Sequence, residues 1–141
     1  MKKYIYMTIL VTSFSLTACG QVKENQKKTQ SSKQQTMDLS KITDETVKNA
    51  IEALQTGDKK WYSFFTENPV MTDDGNTVDF TSFFSKALGK EHFLSIDRVE
   101  NEGKDIYGSF KAGQWGTFPV FFKFHKNSEG KFERLDIGQA K

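Results

Sequence analysis

Two carboxylate positions in the sequence are candidates for acid–base chemistry. Asp73 and Asp74 are adjacent and precede a glycine, and Asp136 stands between two apolar residues near the C-terminus. A carboxyl group that is buried in an apolar site has a raised pKa and can act as a general acid or base. Each position also has a plainer interpretation. The run Asp-Asp-Gly-Asn suits a tight turn, and Asp136 can pair with Arg134, Arg98 or a surface lysine.

Four aromatic side chains with a polar atom are candidates for lining a ligand pocket: Trp61, Tyr62, Tyr107 and Trp115. Such side chains suit a mostly apolar site that needs one or two hydrogen bonds. The alternative is that they fill the core of a chain that contains 13 phenylalanines. Trp115 follows a Gly-Gln turn signal, so it could instead lie at the rim of a pocket.

The two histidines do not predict a metal site. His92 and His125 are 33 residues apart, without a second histidine or a cysteine at the spacing that metal ligands usually show. Each is better explained as a histidine on the surface or at the end of a strand. We therefore expect no bound metal, and no motif in the sequence predicts an organic cofactor.

The N-terminal residues have the layout of an export signal. Lys2 and Lys3 precede an apolar run from Tyr4 to Leu16, and small residues then lead to Cys19, the one cysteine of the chain. A transmembrane helix needs roughly 20 apolar residues, more than this run provides. The pattern therefore predicts a signal peptide over residues 1–18.

The segment Leu16-Thr17-Ala18-Cys19 resembles the lipobox of bacterial lipoproteins. The resemblance implies cleavage before Cys19 and acylation of its thiol by fatty acids such as palmitate. An ordinary secretory signal with an incidental cysteine is the alternative. Because several acyl chains hold a protein at a bilayer, at about 0.8 kcal/mol per buried CH₂, we expect an extracytoplasmic lipoprotein of the cell envelope, anchored to a membrane by lipid.

Composition separates a linker from a domain. Residues 19–40 comprise the cysteine and a segment rich in Gln, Lys and Ser, which predicts a flexible polar linker. Residues 41–141 are long enough for one domain. From Ser40 onward, 14 Lys and Arg stand against 16 Asp and Glu, a net charge of −2. A nucleic-acid-binding domain needs a cationic surface, so nucleic acid is excluded as a partner.

Two helices are predicted at the start of the domain. Thr43 can cap a first helix, which carries an apolar stripe and ends at Gly57. A second helix is expected to open at Asp58. It should end just before Pro69, because the residue before a proline disfavours the helical conformation.

A hairpin, a third helix and a sheet are predicted in the rest of the chain. An Asp-Gly turn joins residues 70–72 to 77–78, and Asp79 can cap a helix that ends at Gly89. Within 117–125, phenylalanine and valine at even positions form one apolar face. Glycines at 108, 113, 116 and 138 would allow a long sheet to bend. Turn signals divide this part into four antiparallel strands, at about 92–101, 104–112, 116–126 and 131–139.

This order of elements resembles the nuclear transport factor 2-like superfamily, which includes SnoaL-like and ketosteroid-isomerase-like domains. The segment 51–58, with Trp61 and the residues from Phe64 to Gly75, is similar to its first helix through its hairpin, and 130–138 is similar to its last strand. The match covers residues 42–140. It implies an α+β fold of the cystatin-like type, in which three N-terminal helices pack on a curved antiparallel sheet and form a cone with a pocket.

The resemblance also allows a catalytic set to be checked. Ketosteroid isomerases use an Asp base with a tyrosine and a protonated Asp as hydrogen-bond donors. Asp73 falls near the position of the base, whereas Ala50 and Val120 occupy the positions of the two donors. Loss of one such donor typically costs a hundredfold or more in rate, so this particular chemistry is not expected. Asp136 would line the cone if its strand face pointed inward.

Two functions therefore stay open, because members of this superfamily include both enzymes and binding modules. We expect first a non-catalytic domain that binds a small apolar ligand or a protein partner near the membrane. The alternative is a cofactor-independent isomerase, dehydratase or cyclase with Asp73 or Asp136 as general base. The resemblance also implies a homodimer through the outer face of the sheet, where Phe121 adds an aromatic side chain.

Overall fold

The computed structural model describes residues 37–141. The predicted signal peptide, the lipidation of Cys19 and the predicted linker as far as residue 36 lie outside the described residues. Met37 and Leu39, which the sequence placed in the linker, pack against the hydrophobic core. The domain therefore begins before residue 41.

The domain is α+β, as predicted, with the helices in the first half of the chain. The helices are α1 (Glu45–Thr56), α2 (Lys60–Ser63) and α3 (Phe80–Ala87). The strands are β1 (Phe65–Asp73), β2 (Asn76–Val78), β3 (His92–Glu100), β4 (Asp105–Lys111), β5 (Thr117–Lys126) and β6 (Phe132–Gln139). A 3₁₀ turn, Gly113–Trp115, lies between β4 and β5. Between residues 37 and 141, no helix has the length and apolar character needed to span a bilayer.

Helix α1 is capped by Asp44 rather than by Thr43. The Asp44 carboxylate accepts a hydrogen bond from the Val47 N–H at 3.0 Å, and it also pairs with the ammonium group of Lys126 at 2.7 Å. This partner on β5 could not be read from the local pattern. The helix ends at Gly57, as predicted, in a left-handed conformation with φ of 70°.

The predicted length of the second helix is wrong. Helix α2 is a single turn, Lys60–Ser63, and β1 already begins at Phe65. The reason is β6: Phe65 pairs with Phe132, and the Phe132 N–H donates to the Phe64 carbonyl at 2.9 Å. These backbone bonds replace those of a longer helix. Pro69 lies in an irregular stretch of β1, where its missing N–H interrupts no paired position.

The six strands form one sheet in the order β2-β1-β6-β5-β4-β3. Strands β3 to β6 make the antiparallel meander that the turns predicted, and β1 and β2 form the predicted hairpin. Strand β1 runs parallel to β6, so the sheet is mixed rather than wholly antiparallel. A parallel pair is possible here because α3 and four strands separate β1 from β6 in the chain. The sheet is not closed into a barrel.

The hydrophobic core lies between the helices and one face of the sheet. On β5, Phe122 and Phe124 are buried, whereas the intervening Lys123 faces the other side, which confirms the alternation seen in the sequence. Trp61 is fully buried, and its ring lies 4.7 Å from that of Phe84. Tilted contacts of this kind between aromatic rings fill a core and add specific attraction.

The free edge of the sheet at β3 is covered by side chains from the N-terminal part of the domain. The Gln55 amide on α1 donates to the Phe93 carbonyl at 2.9 Å and accepts from the Phe93 N–H at 2.7 Å. Lys41 donates to the carbonyls of Ile96 and Asp97, both at 3.2 Å. Backbone groups that an edge strand would otherwise leave unpaired are thereby satisfied.

The pairing between β3 and β4 is irregular. The pairing register shifts on both sides of Ile96, which lies opposite Gly108. A Cβ added to Gly108 would overlap the Ser95 carbonyl oxygen. Bulges of this kind bend a strand and increase its twist. Glycine at 108 therefore permits the bend, in agreement with the role expected for the glycines of this half.

Candidate functional site

A cavity of about 230 Å³ opens beside the ends of β1 and β6, next to α3 and the 3₁₀ turn. Its walls are mainly apolar, because the inward face of β5 contributes to it together with side chains from α3, β4 and β6. The apolar lining residues are Phe83, Phe110, Phe118, Val120, Phe122 and Ile137. An apolar cavity with a few polar groups is the usual form of a small-molecule site.

Two carboxyl groups that line this cavity accept no hydrogen bond from residues 37–141. Asp73 is the last residue of β1, and Glu91 lies in the loop between α3 and β3. Burial raises the pKa of Asp73, and the charge of Asp74 raises it further. Burial likewise raises the pKa of Glu91, and the charge of Asp73 adds to this effect. The two groups therefore interact electrostatically, and each would gain from a proton or a cation.

Asp74 is engaged in the turn that holds the site together. Its carboxylate accepts the Gln139 N–H at 2.8 Å, and its own N–H donates to the Ile137 carbonyl at 2.9 Å. A Cβ on Gly138 would lie 2.5 Å from Asp74 Oδ1, so glycine leaves room for this carboxylate. Asp74 thus fixes the β1–β2 turn to β6, and Asp73 is the carboxyl group left to face a ligand.

Comparison with known proteins identifies the fold. No protein-family model matches the chain, and no curated protein matches its sequence. A nuclear transport factor 2-like protein from Anabaena variabilis matches with a TM-score of 0.50 and 15% identity, covering 76% of this chain and 96% of that one. The domain has the nuclear transport factor 2-like fold.

Two further structures with this fold differ in what they do. The epoxide hydrolase/cyclase-like enzyme SalBIII of pyran ring formation in salinomycin has a TM-score of 0.51 and 15% identity, covering 68% of this chain and 88% of that one. The orange carotenoid protein of Anabaena (Nostoc), solved with canthaxanthin, has a TM-score of 0.54 and 16% identity over 72% of this chain. The match spans 38% of the carotenoid protein. At such identities the likeness establishes the fold alone.

Of the four predicted pocket aromatics, the nuclear transport factor 2-like domain brings Trp115 to the cavity. Trp115 is 84% exposed and lies at the rim, the alternative position that its turn suggested. Trp61 is buried in the core instead, and its Nε1 has no hydrogen-bond partner within residues 37–141. Tyr62 packs edge-on against Phe80 at 6.0 Å. Side-chain type and spacing alone could not distinguish the core from the cavity.

Tyr107 lies on the outer face of the sheet, away from the cavity. Its ring is covered by the Arg98 guanidinium at 3.9 Å and lies 6.5 Å from the Phe121 ring. The reason is the alternation of β4, in which the neighbours Ile106 and Gly108 are the buried positions.

Asp136 also lies on the outer face, because the inward positions of β6 are occupied by the buried Leu135 and Ile137. It accepts hydrogen bonds from Thr72 Oγ1 at 2.7 Å and Arg134 Nε at 2.9 Å. His125 Nε2 lies 2.8 Å from it. Burial alone would raise the pKa of Asp136, but these hydrogen bonds outweigh it and lower the pKa. The predicted acid–base role does not fit this position, whereas the pairing with Arg134 is present.

The remaining predicted positions add no reactive group to the cavity. Ala50 is fully buried in α1, and Val120 is an apolar lining residue, so neither position supplies a hydrogen-bond donor. His125 is engaged with Asp136, and His92 pairs with Lys111 across β3 and β4. Within the described part of the chain, no group of three or more potential metal ligands comes together.

Glu91 is the functional candidate that sequence reasoning missed. It lies two residues after Gly89, in the loop between the end of α3 at Ala87 and β3, where no periodic pattern marks it. A Cβ on Gly113 would lie 3.4 Å from Glu91 Oε1, so the 3₁₀ turn and the carboxyl group are close neighbours. A second depression, of about 380 Å³, adjoins the cavity and shares Phe83, Glu91 and Trp115 with it. These contacts depend on the tertiary fold alone.

Proposed function

We propose that this protein is a membrane-anchored lipoprotein of the cell envelope whose nuclear transport factor 2-like domain binds a small, largely apolar ligand. The cavity beside Asp73 carries the proposal. Phenylalanine rings form much of its wall, and Asp73 and Glu91 supply polar groups that can orient a ligand. The carotenoid protein solved with canthaxanthin gives a precedent for an apolar ligand in a protein that contains this fold.

Ligand binding is tested with phenylnaphthylamine, an uncharged probe that fluoresces in apolar surroundings. The full chain should bind it saturably, because the cavity removes apolar surface from water. Val120→Phe places a larger ring in the cavity and should weaken binding about tenfold. Phe121→Leu, a change on the outer face of the same strand, is the matched control and should bind normally. Unsaturable fluorescence, or equal affinity for both variants, would refute a binding site in this cavity.

Lipid anchoring is tested separately by fractionation of cells that express the full chain. Replacement of Cys19 by serine removes the thiol that fatty acids would modify, and the variant should move from the membrane fraction to the soluble fraction. Thr17→Ser, a conservative change within the same segment, should stay with the membranes. Equal membrane association of wild type and Cys19→Ser would disprove the anchor without affecting the cavity.

Acid–base catalysis is the second candidate, and the raised pKa of Asp73 inside the cavity favours it. A ketone whose adjacent C–H bond is acidified is the substrate class that such a base could deprotonate. Proton exchange into deuterated water, followed by NMR, would reveal this activity. Asp73→Asn should abolish exchange and Asp136→Asn should not. No exchange above the buffer rate, across ketones that bind in the cavity, would exclude this function.

The homodimer through the outer sheet face stays a prediction. Tyr107 and Phe121 add aromatic surface there, and Arg98 covers one of the two rings. Light scattering on the full Cys19→Ser chain, which lacks the proposed anchor, measures its mass directly. A dimer that Phe121→Asp converts to a monomer would locate the interface on this face.

A further inference from the structure

The charged side chains that line the cavity are all acidic. Asp73, Asp74 and Glu91 contribute to the lining, and no Lys, Arg or His of residues 37–141 does. The Asp74 carboxylate is occupied by the N–H of Gln139 at 2.8 Å. Asp73 and Glu91 are the two lining carboxyl groups that accept no hydrogen bond from the described chain.

Neither of these two groups is neutralised by the domain itself. Burial and a neighbouring negative charge raise the pKa of both Asp73 and Glu91, and no hydrogen bond or opposite charge in the described chain offsets this. Both groups are half-buried, and a carboxylate that loses part of its hydration gains from a cation or a hydrogen-bond donor. An unpaired couple instead gives the cavity a negative potential.

A lysine that shares a depression with Glu91 does not fill this role. Lys86 lies on α3 and lines the second depression together with Glu91, yet it forms no ion pair with Glu91. Within residues 37–141, the short ion pairs of lysine join Lys104 to Glu102 and Lys126 to Asp44. The position beside the carboxyl couple is thus left to a ligand.

The other walls suit a cation attached to an apolar body. Phe110 and Phe122 present aromatic surface to the cavity. Trp115, 84% exposed, adds an indole ring to the lining, the aromatic group to which cations bind best. Such a combination of carboxylates and aromatic rings favours an organic cation over a neutral or an anionic molecule.

We infer, resting on the binding function proposed above, that the ligand is an organic cation, an apolar molecule with a protonated amine. Its ammonium group binds Asp73 and Glu91, and its apolar body packs against the phenylalanine walls. An anionic ligand of the same shape is rejected by the same two carboxylates. The cavity volume of about 230 Å³ can enclose only a small molecule or a small part of a larger one. Any remaining part of the ligand could extend into the second depression.

Three probes with the same ring and different charge test the inference: phenylethylamine, phenylethanol and phenylpropanoate. Each probe is titrated against the full chain, and its binding is measured by displacement of phenylnaphthylamine. The amine should bind at least tenfold more tightly than the alcohol, and the carboxylate should bind weakest. Asp73→Asn and Glu91→Gln should each weaken the amine about tenfold and leave the alcohol within about twofold. Glu129→Gln, an exposed carboxylate at the turn before β6, changes net charge equally and should alter neither.

The outcomes separate the ligand class from the binding function. Equal affinity for amine and alcohol, or an amine affinity that neither Asp73→Asn nor Glu91→Gln alters, overturns the organic cation and leaves the apolar cavity standing. Tighter binding of phenylpropanoate than of phenylethylamine likewise overturns the organic cation and leaves the apolar cavity standing. If phenylnaphthylamine itself fails to bind saturably, the proposed function fails and the inference fails with it. Thermal unfolding of each variant verifies that it is folded.

Discussion

Replacement of Gly108 by alanine should destabilise the domain through one identifiable contact. The new Cβ would overlap the Ser95 carbonyl oxygen, which belongs to the bulged backbone of β3. No side-chain rotation can relieve a clash with a backbone atom, so β3 must move. Overpacking of this kind lowers the free energy of unfolding by about 1 to 3 kcal/mol. Because the clash is with a backbone atom, we expect the loss to be about 3 kcal/mol. At about 4 °C or more per kcal/mol, the melting temperature should fall by about 12 °C.

Gly138 provides a matched comparison on the same sheet. A Cβ there would lie 2.5 Å from Asp74 Oδ1 and 2.9 Å from Phe121 Cζ, but both obstacles are side chains that can rotate. Gly138→Ala should therefore cost about 1 kcal/mol. Thermal unfolding by circular dichroism measures both variants, with Ser109→Ala as a neighbouring control near wild type. Equal melting temperatures for Gly108→Ala and Gly138→Ala would refute the argument that the bulge is fixed by Gly108.

Three further changes should alter stability in ways that report on single contacts. Asp136→Asn should lower the free energy of unfolding by about 1 to 2 kcal/mol at pH 7. Because the pKa of Asp136 is lowered from 3.8, this loss should vanish as the pH falls below 3.8, which urea unfolding at several pH values measures. Asp73→Asn should raise the melting temperature at pH 7. The pKa of Asp73 is raised from 3.8, so its ionised form destabilises the folded domain. The gain should disappear in acid, where the carboxyl group is protonated, and a gain that persists there would contradict a charge effect. Gln55→Ala removes the side chain that pairs with the Phe93 N–H and carbonyl at the sheet edge. The free energy of unfolding in urea should fall by about 1 to 2 kcal/mol, and amide exchange at Phe93 should become faster. Unchanged exchange would refute the edge contact.

The sequence predicted most of the fold because the relevant signals are local. The caps at Asp79 and Gly57 and the alternation along β5 are set by neighbouring residues, and they appear as expected. The second helix was overpredicted because Phe65 has a long-range partner, Phe132, that no local pattern contains. The parallel pairing of β1 with β6 was missed for the same reason.

The candidate site was only partly predictable. Asp73 was identified through its turn and the fold resemblance. In the structure Asp74 holds the turn, and Asp73 lines the cavity, where its acid–base role stays a prediction. For Asp136 the sequence left two positions open, because a shift of one residue in strand phase decides between the two faces of a sheet. The structure has it on the outer face, where it pairs with Arg134. Glu91 carries no sequence signal, because its place in the cavity follows from where the end of α3 meets the 3₁₀ turn.

The position of β6 within the sheet has a consequence for biogenesis. This last strand in the chain lies between β1 and β5, so the hairpin and the meander are joined into one sheet only after β6 has emerged. Until then, β1 and the edge of β5 lack the strand with which they pair. Removal of β6 would separate the β1–β2 hairpin from the β3–β5 meander, so the sheet depends on this strand to be continuous.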